Sequence, residues 1–359
     1  MSQLRLPNSL SDFPFPRCIN PHYAPVKAET EEWLRGMKVL DPSVQESFEK
    51  CDFVLLTAHF YPSLTLDQFR VASKMHMFLF VIDEYTDQAD SQGVQVYIHM
   101  VVDALERPHV IVPVEDGQCN LREMARQFWQ DALAVAPSAY AAQRRFKANM
   151  ISYMNAVANE ADDRAQGTIR SIDAFLEFRR QTAGGYPTLF PMDFCFDIPD
   201  EVMQHPTMCA FNDMFADSIF LTNDLYSYNV EQASGFDTQN LVTVVMNEQH
   251  VSAQDAMDWV GHYNAQLVGR YAALKADLPS WGPVVDRDVE AYVTSIGHGI
   301  RGVDAWSFES ERYFGPGGLE VQRTRVMTLL PNIEADVATP LMVMDAVGKR
   351  TAAEAGSLP

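Results

Sequence analysis

The sequence predicts an all-α, single-domain protein: a helical bundle around a central apolar cavity. Three observations carry this. From about Thr30 onward the apolar residues recur at helical spacing, and long strand-like alternation is absent. Hydrophobic residues make up 47% of the 359, enough for a large core without disulfides. Two strongly apolar helical stretches run, without a polar break, into short acidic motifs, as buried helices do when their polar ends meet a cavity mouth. The length also admits two domains, but no linker, internal repeat or low-complexity block divides the chain.

Residues 1–25 hold Pro7, Phe13, Pro14, Phe15, Pro16 and Pro21 and read as an extended arm laid on the body. Helices are predicted over roughly 28–38, 43–58, 66–84, 92–105, 119–135, 138–165, 171–183, 199–231, 238–248, 252–276 and 283–312. Asp67 is placed as the cap of the helix at 66–84, and Ser171 or Asp173 as the cap of the one at 171–183. Ala183-Gly184-Gly185-Tyr186-Pro187 cannot continue a regular helix, and such a break frees carbonyl oxygens to face a cavity. Gly315-Pro316-Gly317-Gly318 reads as a flexible loop leading to a partly ordered tail. The division expected is an arm at 1–25, a helical body at 26–315, and a flexible loop and tail at 316–359.

The net charge of −21, from 48 acidic and 27 basic residues, speaks against nucleic acid and anionic membrane surfaces, because both need a basic face. A small anionic substrate is allowed where metal ions and arginines reverse the local field. Cys18, Cys51, Cys119, Cys195 and Cys209 are scattered without a CxxC pair and read as reduced thiols. The N-terminus shows no secretory pattern, and no apolar run is long enough to span a membrane, so a cytoplasmic protein is expected, as a monomer or homodimer.

Two motifs bear the chemistry. In Asp83-Glu84-Tyr85-Thr86-Asp87, Asp83 and Asp87 are four apart and share a helix face; Phe78-Leu79-Phe80-Val81-Ile82 leads directly into them. Asn223, Ser227 and Glu231 repeat the four-residue step twice, behind the apolar stretch Phe215–Leu221. Acidic clusters are usually solvated helix faces. Three oxygen donors of mixed charge in register, however, suit a Mg²⁺ that keeps sites for water and phosphate oxygens.

These residues resemble a class I terpene synthase of the fungal, mushroom-type sesquiterpene synthase family. Asp83–Asp87 is similar to that family's D(D/E)xxD motif, and Asn223–Glu231 to its NDxxSxxxE motif. Arg179-Arg180 stand where its diphosphate-sensing arginine lies, Arg312-Tyr313 match its C-terminal Arg-Tyr pair, and Pro-Phe-Pro-Arg-Cys-Ile-Asn-Pro-His-Tyr near the N-terminus is also alike. The resemblance extends from about Pro7 to about Gly315. It implies the class I terpenoid synthase bundle and release of diphosphate from a prenyl diphosphate, farnesyl diphosphate first. It also implies three Mg²⁺ ions (Mn²⁺ as the substitute) held by Asp83, Asp87, Asn223, Ser227 and Glu231. Arg179, Arg312 and Tyr313 are the implied diphosphate ligands, with Ala183 and Gly184 at the helix break near the substrate. Val230 departs from the pattern, since many relatives carry Lys there, which leaves more of the diphosphate's charge to the arginines and metals. Arg179 and Arg180 are about 100° apart on a helix, so one points inward; family spacing favours Arg179. Its replacement by Ala is expected to abolish turnover and leave the fold intact.

The pocket wall must survive a carbocation, and aromatic faces stabilise cations without attacking them. Phe80, Phe220 and Trp306 are the candidates taken into the site, with Phe60, Tyr61, Ile219 and Phe308 weighed beside them; core packing is an equal reading for each. His76, two turns before Asp83, reads as a satisfied buried histidine rather than a base. Glu160 and Arg164, four apart, read as a supporting ion pair before a pocket element. Two other outcomes stay open on the same fold: an acyclic alcohol such as linalool or nerolidol from geranyl or farnesyl diphosphate, and chain elongation by a prenyltransferase. The Asn-Ser-Glu form of the second motif argues against elongation. A non-catalytic isoprenoid-binding protein is the third, disfavoured because all the ligand residues are present.

Overall fold

The computed structural model describes residues 2–113, 120–196, 198–333, 340–344 and 346. Cys119 and, within the expected loop and tail, residues 334–339, 345 and 347–359 lie outside the described residues. Helices follow one another as α1 (Tyr23–Met37), α2 (Pro42–Lys50), α3 (Phe53–Phe60), α4 (Leu66–Asp87), α5 (Ser91–Glu106), α6 (Leu121–Val135), α7 (Tyr140–Gln166) and α8 (Ile172–Thr182). Then come α9 (Phe190–Asp193), α10 (Asp200–Met203), α11 (Pro206–Ser234), α12 (Leu241–Gln249), α13 (Ala253–Gly269), α14 (Tyr271–Ala276), α15 (Pro283–Glu309) and α16 (Gly318–Thr324). The strands among the described residues are β1 (Gln3–Arg5) and β2 (Val326–Thr328), paired antiparallel with Leu4 opposite Met327. No described helix is long and apolar enough to cross a membrane.

Several predicted helices are interrupted, each for a local reason. The one expected over 43–58 splits at Asp52, which sits in the left-handed region (φ 46°) and accepts the Leu55 N–H to cap α3. The one over 199–231 breaks at His205, held extended (ψ 138°) by the proline after it. The one over 252–276 is divided at Arg270. α15 ends at Glu309, before Arg312, because Ser310 turns extended (ψ 169°). Thr65, not Asp67, caps α4: Gln68 Oε1 accepts the Thr65 N–H at 3.0 Å, and Asp67 falls inside the first turn. Ser171 caps α8, accepting the Ala174 N–H.

The glycine-rich segment read as a flexible loop is instead a 3₁₀ turn (Gly315–Gly317) followed by α16 and β2. Its order comes from partners remote in sequence. β2 pairs with the N-terminal arm, and Asn229 on α11 donates to the Thr328 carbonyl (3.0 Å) and accepts the Leu330 N–H (2.9 Å). The arm itself buries Leu4, Leu6, Leu10 and Phe13. Arg301 of α15 donates to the carbonyls of Leu10, Phe13 and Phe15 at 2.7–3.0 Å. Phe15 packs onto Gly297, where a Cβ would lie 2.1 Å from its ring.

The centre is built by α3, α4, α11 and α15, with α7 and α8 closing one side. α4 buries most of its length, from Phe69 to Ile82, so helix propensity matters less here than the burial of nearly every face. Glu309, at the end of α15, ties arm to bundle: Arg17 Nη2 donates to it at 2.7 Å and His59 Nε2 lies 3.2 Å away. Burial works to raise this carboxyl, but the hydrogen bonds from Arg17 and His59 carry it down to about 2 from its ordinary 4.5. Its contribution is therefore complete above pH 4.5 and is lost as pH falls toward 2. Glu309→Gln is expected to cost about 1–3 kcal/mol at pH 7 and less at pH 3, read from urea unfolding at both values. An equal cost at both would show that the charge is not what holds the arm.

Candidate active site

α4 and α11 bring their polar ends to one cavity of about 180 Å³. Asp83, Glu84 and Asp87 line it from α4, and Asn223 and Glu231 from α11. Because each helix keeps its ligand residues four apart, each presents one edge to the shared space. Ser227, the middle member of the second motif, is buried just behind the lining and hydrogen-bonds Glu231. Asn240 braces this edge, donating to Glu231 at 2.9 Å and to the Asp224 carbonyl at 2.9 Å.

The paired arginines diverge. Arg179 lines the cavity and donates to Asp224 (3.1 Å) and Asn223 Oδ1 (3.1 Å), with Glu160 at 3.7 Å. Arg180 turns away to Asp217, which it grips at 2.6 and 2.8 Å. Burial opposes the Arg179 charge, but Asp224, Glu160 and Glu231 more than offset it, and its pKa is raised. Arg312 also lines the cavity and reaches no carboxylate among the described residues; it lies over the rings of Phe53 (5.7 Å) and Phe80 (6.0 Å). Tyr313 Oη accepts from Asn223 Nδ2 at 2.7 Å, which joins this pair to the α11 edge.

One feature escaped the sequence reading, and one pair stands closer to the site than it was placed. Asp224 is fully buried, accepting the Leu241 N–H (2.9 Å) as well as Arg179. It is the anchor that aims Arg179, and beside Asn223 nothing in the sequence marks it as more than a neighbour. Glu160 and Arg164 both line the cavity from α7. Glu160 accepts from Thr182 (3.2 Å), while Arg164 donates to the Thr86 carbonyl (2.9 Å) and approaches Asp87 (3.8 Å). The ion pair that their i,i+4 spacing suggests is present at 3.9 Å, and both members line the cavity as well.

The charge distribution asks for a cation. Burial raises Asp87 well above the ordinary carboxylate range, and the charge of Asp83 adds to it, with Arg164 opposing and Glu160 and Glu84 adding further. Burial likewise pushes Glu231 up to about 7, with Asp224 adding to the effect and Ser227 and Asn240 reducing it. Carboxylates that ionise reluctantly beside one another, with open oxygen donors from two helices, fit divalent cations that take hard oxygen ligands. Among the described residues no three His, Cys, Asp or Glu side chains are grouped so that they alone could hold a metal ion. Water or substrate oxygens must complete any coordination.

α8 ends at Thr182, and Thr182, Ala183 and Gly184 all line the cavity. Gly184 adopts φ 70°, and at Gly185 a Cβ would stand 2.8 Å from the Ala216 backbone, so the break is seated tightly on α11. The apolar wall includes Phe80, Trp306, Ile219 and Phe60. Trp306 donates Nε1–H to the Cys51 carbonyl at 2.8 Å, which fixes its indole, and Phe53 stacks on Phe80 at 3.7 Å. Phe220 does not line the cavity; it is fully buried in the core. Ile219 lies about 40° from Asn223 around the helix and Phe220 about 60° on the other side, so Ile219 takes the wall position. Tyr61 and Phe308 also pack in the core, Tyr61 donating to the Thr188 carbonyl.

Residues 74–269 match the family model described as terpene synthase family 2, C-terminal metal binding. Sesquiterpene synthase 14 of Postia placenta is 38% identical, covering 92% of this chain and 93% of its own. Delta(6)-protoilludene synthase 18 of the same fungus is 40% identical, with 93% and 95% covered. The Delta(6)-protoilludene synthase of Armillaria gallica is 36% identical, with 96% and 99% covered. Among solved structures, a-eudesmol synthase superposes with a TM-score of 0.73 at 23% identity, over 83% of this chain and 98% of its own. Linalool/nerolidol synthase from Streptomyces clavuligerus does so with 0.71 at 17% identity, over 82% and 97%. These two are likenesses of fold.

Proposed function

The chain belongs to the class I terpene synthases, within the fungal sesquiterpene synthase family, and we propose that it ionises farnesyl diphosphate and converts the cation to a cyclic sesquiterpene, releasing diphosphate. The observation that supports this reading best is the meeting of two acidic helix edges with Arg179 and Arg312 at one cavity that also has an apolar wall of Phe60, Phe80, Ile219 and Trp306. A prenyl diphosphate has the same division, a hydrocarbon chain and a polyanionic head.

Asp83 and Asp87 on one side, and Asn223, Ser227 and Glu231 on the other, would hold three Mg²⁺ ions. Bound Mg²⁺ supplies Lewis-acid neutralisation of the departing diphosphate. The chain's own residues do the rest. Arg179 and Arg312 bind the diphosphate oxygens, and their planar forks give permanently charged, bidentate contacts. Arg179 must loosen its hold on Asp224 and Asn223 to do so, which frees Asn223 Oδ1 for a ligand role. Tyr313 keeps Asn223 oriented through that change. Thr182, Ala183 and Gly184 move with Arg179, being its immediate continuation, and bring backbone dipoles toward the reacting end. Phe80 and Trp306 face the cation with ring density and offer it no nucleophile.

The test is a parallel incubation with C10, C15 and C20 prenyl diphosphates, with Mg²⁺ and with chelator, reading released diphosphate and volatile products by mass spectrometry. The expected result is metal-dependent release with C15 and a cyclic hydrocarbon, for which Δ6-protoilludene is the first reference compound. Diphosphate retained on a longer product after addition of isopentenyl diphosphate would contradict the proposal in favour of chain elongation.

A further inference from the structure

His76 is read from sequence as a satisfied buried histidine, yet half of its ring is unsatisfied. It lies on α4, is 2% exposed, and lines the cavity two turns deeper than Asp83. Its Nδ1 is 2.8 Å from Thr57 Oγ1. That hydroxyl has one proton, and it is committed to the Phe53 carbonyl at 2.8 Å. Thr57 therefore accepts from His76, and the proton of the neutral imidazole sits on Nδ1. Nε2 is left with a bare lone pair, buried and without a hydrogen-bond partner. The ring is held in this attitude by Tyr61, stacked at 5.6 Å, and by the edge of Phe60 at 5.4 Å. Thr57 does not line the cavity and His76 does, so the ring meets the enclosed space on the side away from its anchored edge, with Nε2 itself closed to a water molecule.

We propose that His76 Nε2 is the base that ends the reaction, taking a proton from the last carbocation. The assignment rests on the function proposed above, since it presupposes a cation in the cavity. The C–H bond beside the cationic carbon breaks, and its electron pair becomes the π bond of the olefin. The proton bonds to Nε2, and the imidazolium returns it to solvent when olefin and diphosphate leave. Burial lowers the His76 pKa to about 3, so the lone pair is free at neutral pH when the cation forms. A carbocation is acidic enough to be deprotonated by so weak a base. Position matters more than strength: the other ionisable groups of the lining belong to the acidic edges, the arginines, Tyr313, or the α7 group Tyr153, Glu160 and Arg164, whereas the ring of His76 packs against Phe60 and Tyr61. A base this deep selects which proton is lost, and so which olefin forms.

Two measurements test it. The first is the ¹⁵N spectrum of the histidines in the intact protein, with the His76 signals assigned by their loss in His76→Asn. A pyridine-type signal for Nε2 and a pyrrole-type signal for Nδ1 are expected; a protonated Nε2 would overturn the assignment. The second is the product profile from farnesyl diphosphate of His76→Asn, His76→Phe and Thr57→Val. Asn keeps a donor near Nδ1 but has no lone pair at the Nε2 position. In both His76 variants diphosphate release should persist while the share of the principal olefin falls about tenfold or more, replaced by products of other deprotonations or of water capture. Thr57→Val should shift the profile in the same direction by releasing the tautomer. An unaltered profile in the His76 variants would overturn the proposal. Absence of diphosphate release from the wild-type protein would instead overturn the function on which it rests, with the nitrogen spectrum unaffected.

Discussion

Replacing Arg179 by Ala is expected to lower turnover by about 10³-fold or more, because a charged donor aimed at developing negative charge in a water-poor site is worth several kcal/mol. The fold is not left untouched, as the sequence alone suggests. Arg179 is the cation that compensates Asp224, whose side chain is 1% exposed. Removing one member of a buried pair typically costs about 3–5 kcal/mol, because the other is left as an isolated charge. Arg179→Ala should therefore lose both activity and stability. Arg179→Ala combined with Asp224→Asn separates the two. The amide oxygen still accepts from Leu241 N–H without bringing a charge, so most of the stability should return while turnover stays lost. Urea unfolding and diphosphate release, measured on wild type and the three variants of this cycle, check it. Recovery of turnover in the double variant would show that Arg179 serves Asp224 and not the substrate.

Glu231→Gln is expected to act in opposite directions on activity and stability. As a metal ligand, Glu231 should be indispensable; its loss should reduce turnover about 10²–10³-fold and raise the metal concentration needed for half-maximal rate. In the metal-free protein the same carboxyl is a liability. Its folded pKa is raised to about 7, against an ordinary 4.5, so ionisation costs stability from pH 4.5 upward and the full cost is reached above about pH 7. The sign is the reverse of the Glu309 case. Glu231→Gln should stabilise the metal-free protein by about 1–2 kcal/mol at pH 8 and by nothing measurable at pH 4, once solvent contact at the cavity mouth is allowed for. Thermal unfolding in chelator at the two pH values reads this directly. A variant less stable than wild type at pH 8 would mean that Glu231 is a structural partner of Asn240 and Ser227 first.

The division between what sequence carries and what it does not follows the range of the interactions. Helical periodicity and four-residue spacing are local, and they are enough to find α4 and α11 and the edges bearing Asp83, Asp87, Asn223 and Glu231. Adjacent arginines differ by a helical angle, so the divergence of Arg179 and Arg180 is also a local fact, while the choice of Arg179 as the inward one came from the family resemblance. Phe220 is the limit of that argument: residues three and four before Asn223 both qualify by spacing, and only the neighbouring helices decide that Ile219 faces the cavity. Longer-range facts were out of reach. β2 is ordered by a strand at the opposite end of the chain, Asp224 is singled out by the start of α12, and Thr57 determines the His76 tautomer from a separate helix. None of these leaves a mark within a window of neighbouring residues.

The central claim is that the α4 edge, the α11 edge and the arginines form one metal-dependent site for diphosphate. Calorimetric titration of inorganic diphosphate into the protein tests it without any turnover. With Mg²⁺ present the account predicts saturable binding that Asp83→Asn, Asn223→Ala and Arg312→Ala each weaken, and that chelator abolishes. Diphosphate binding that is indifferent to the metal, or that survives loss of one helix edge undiminished, would contradict it.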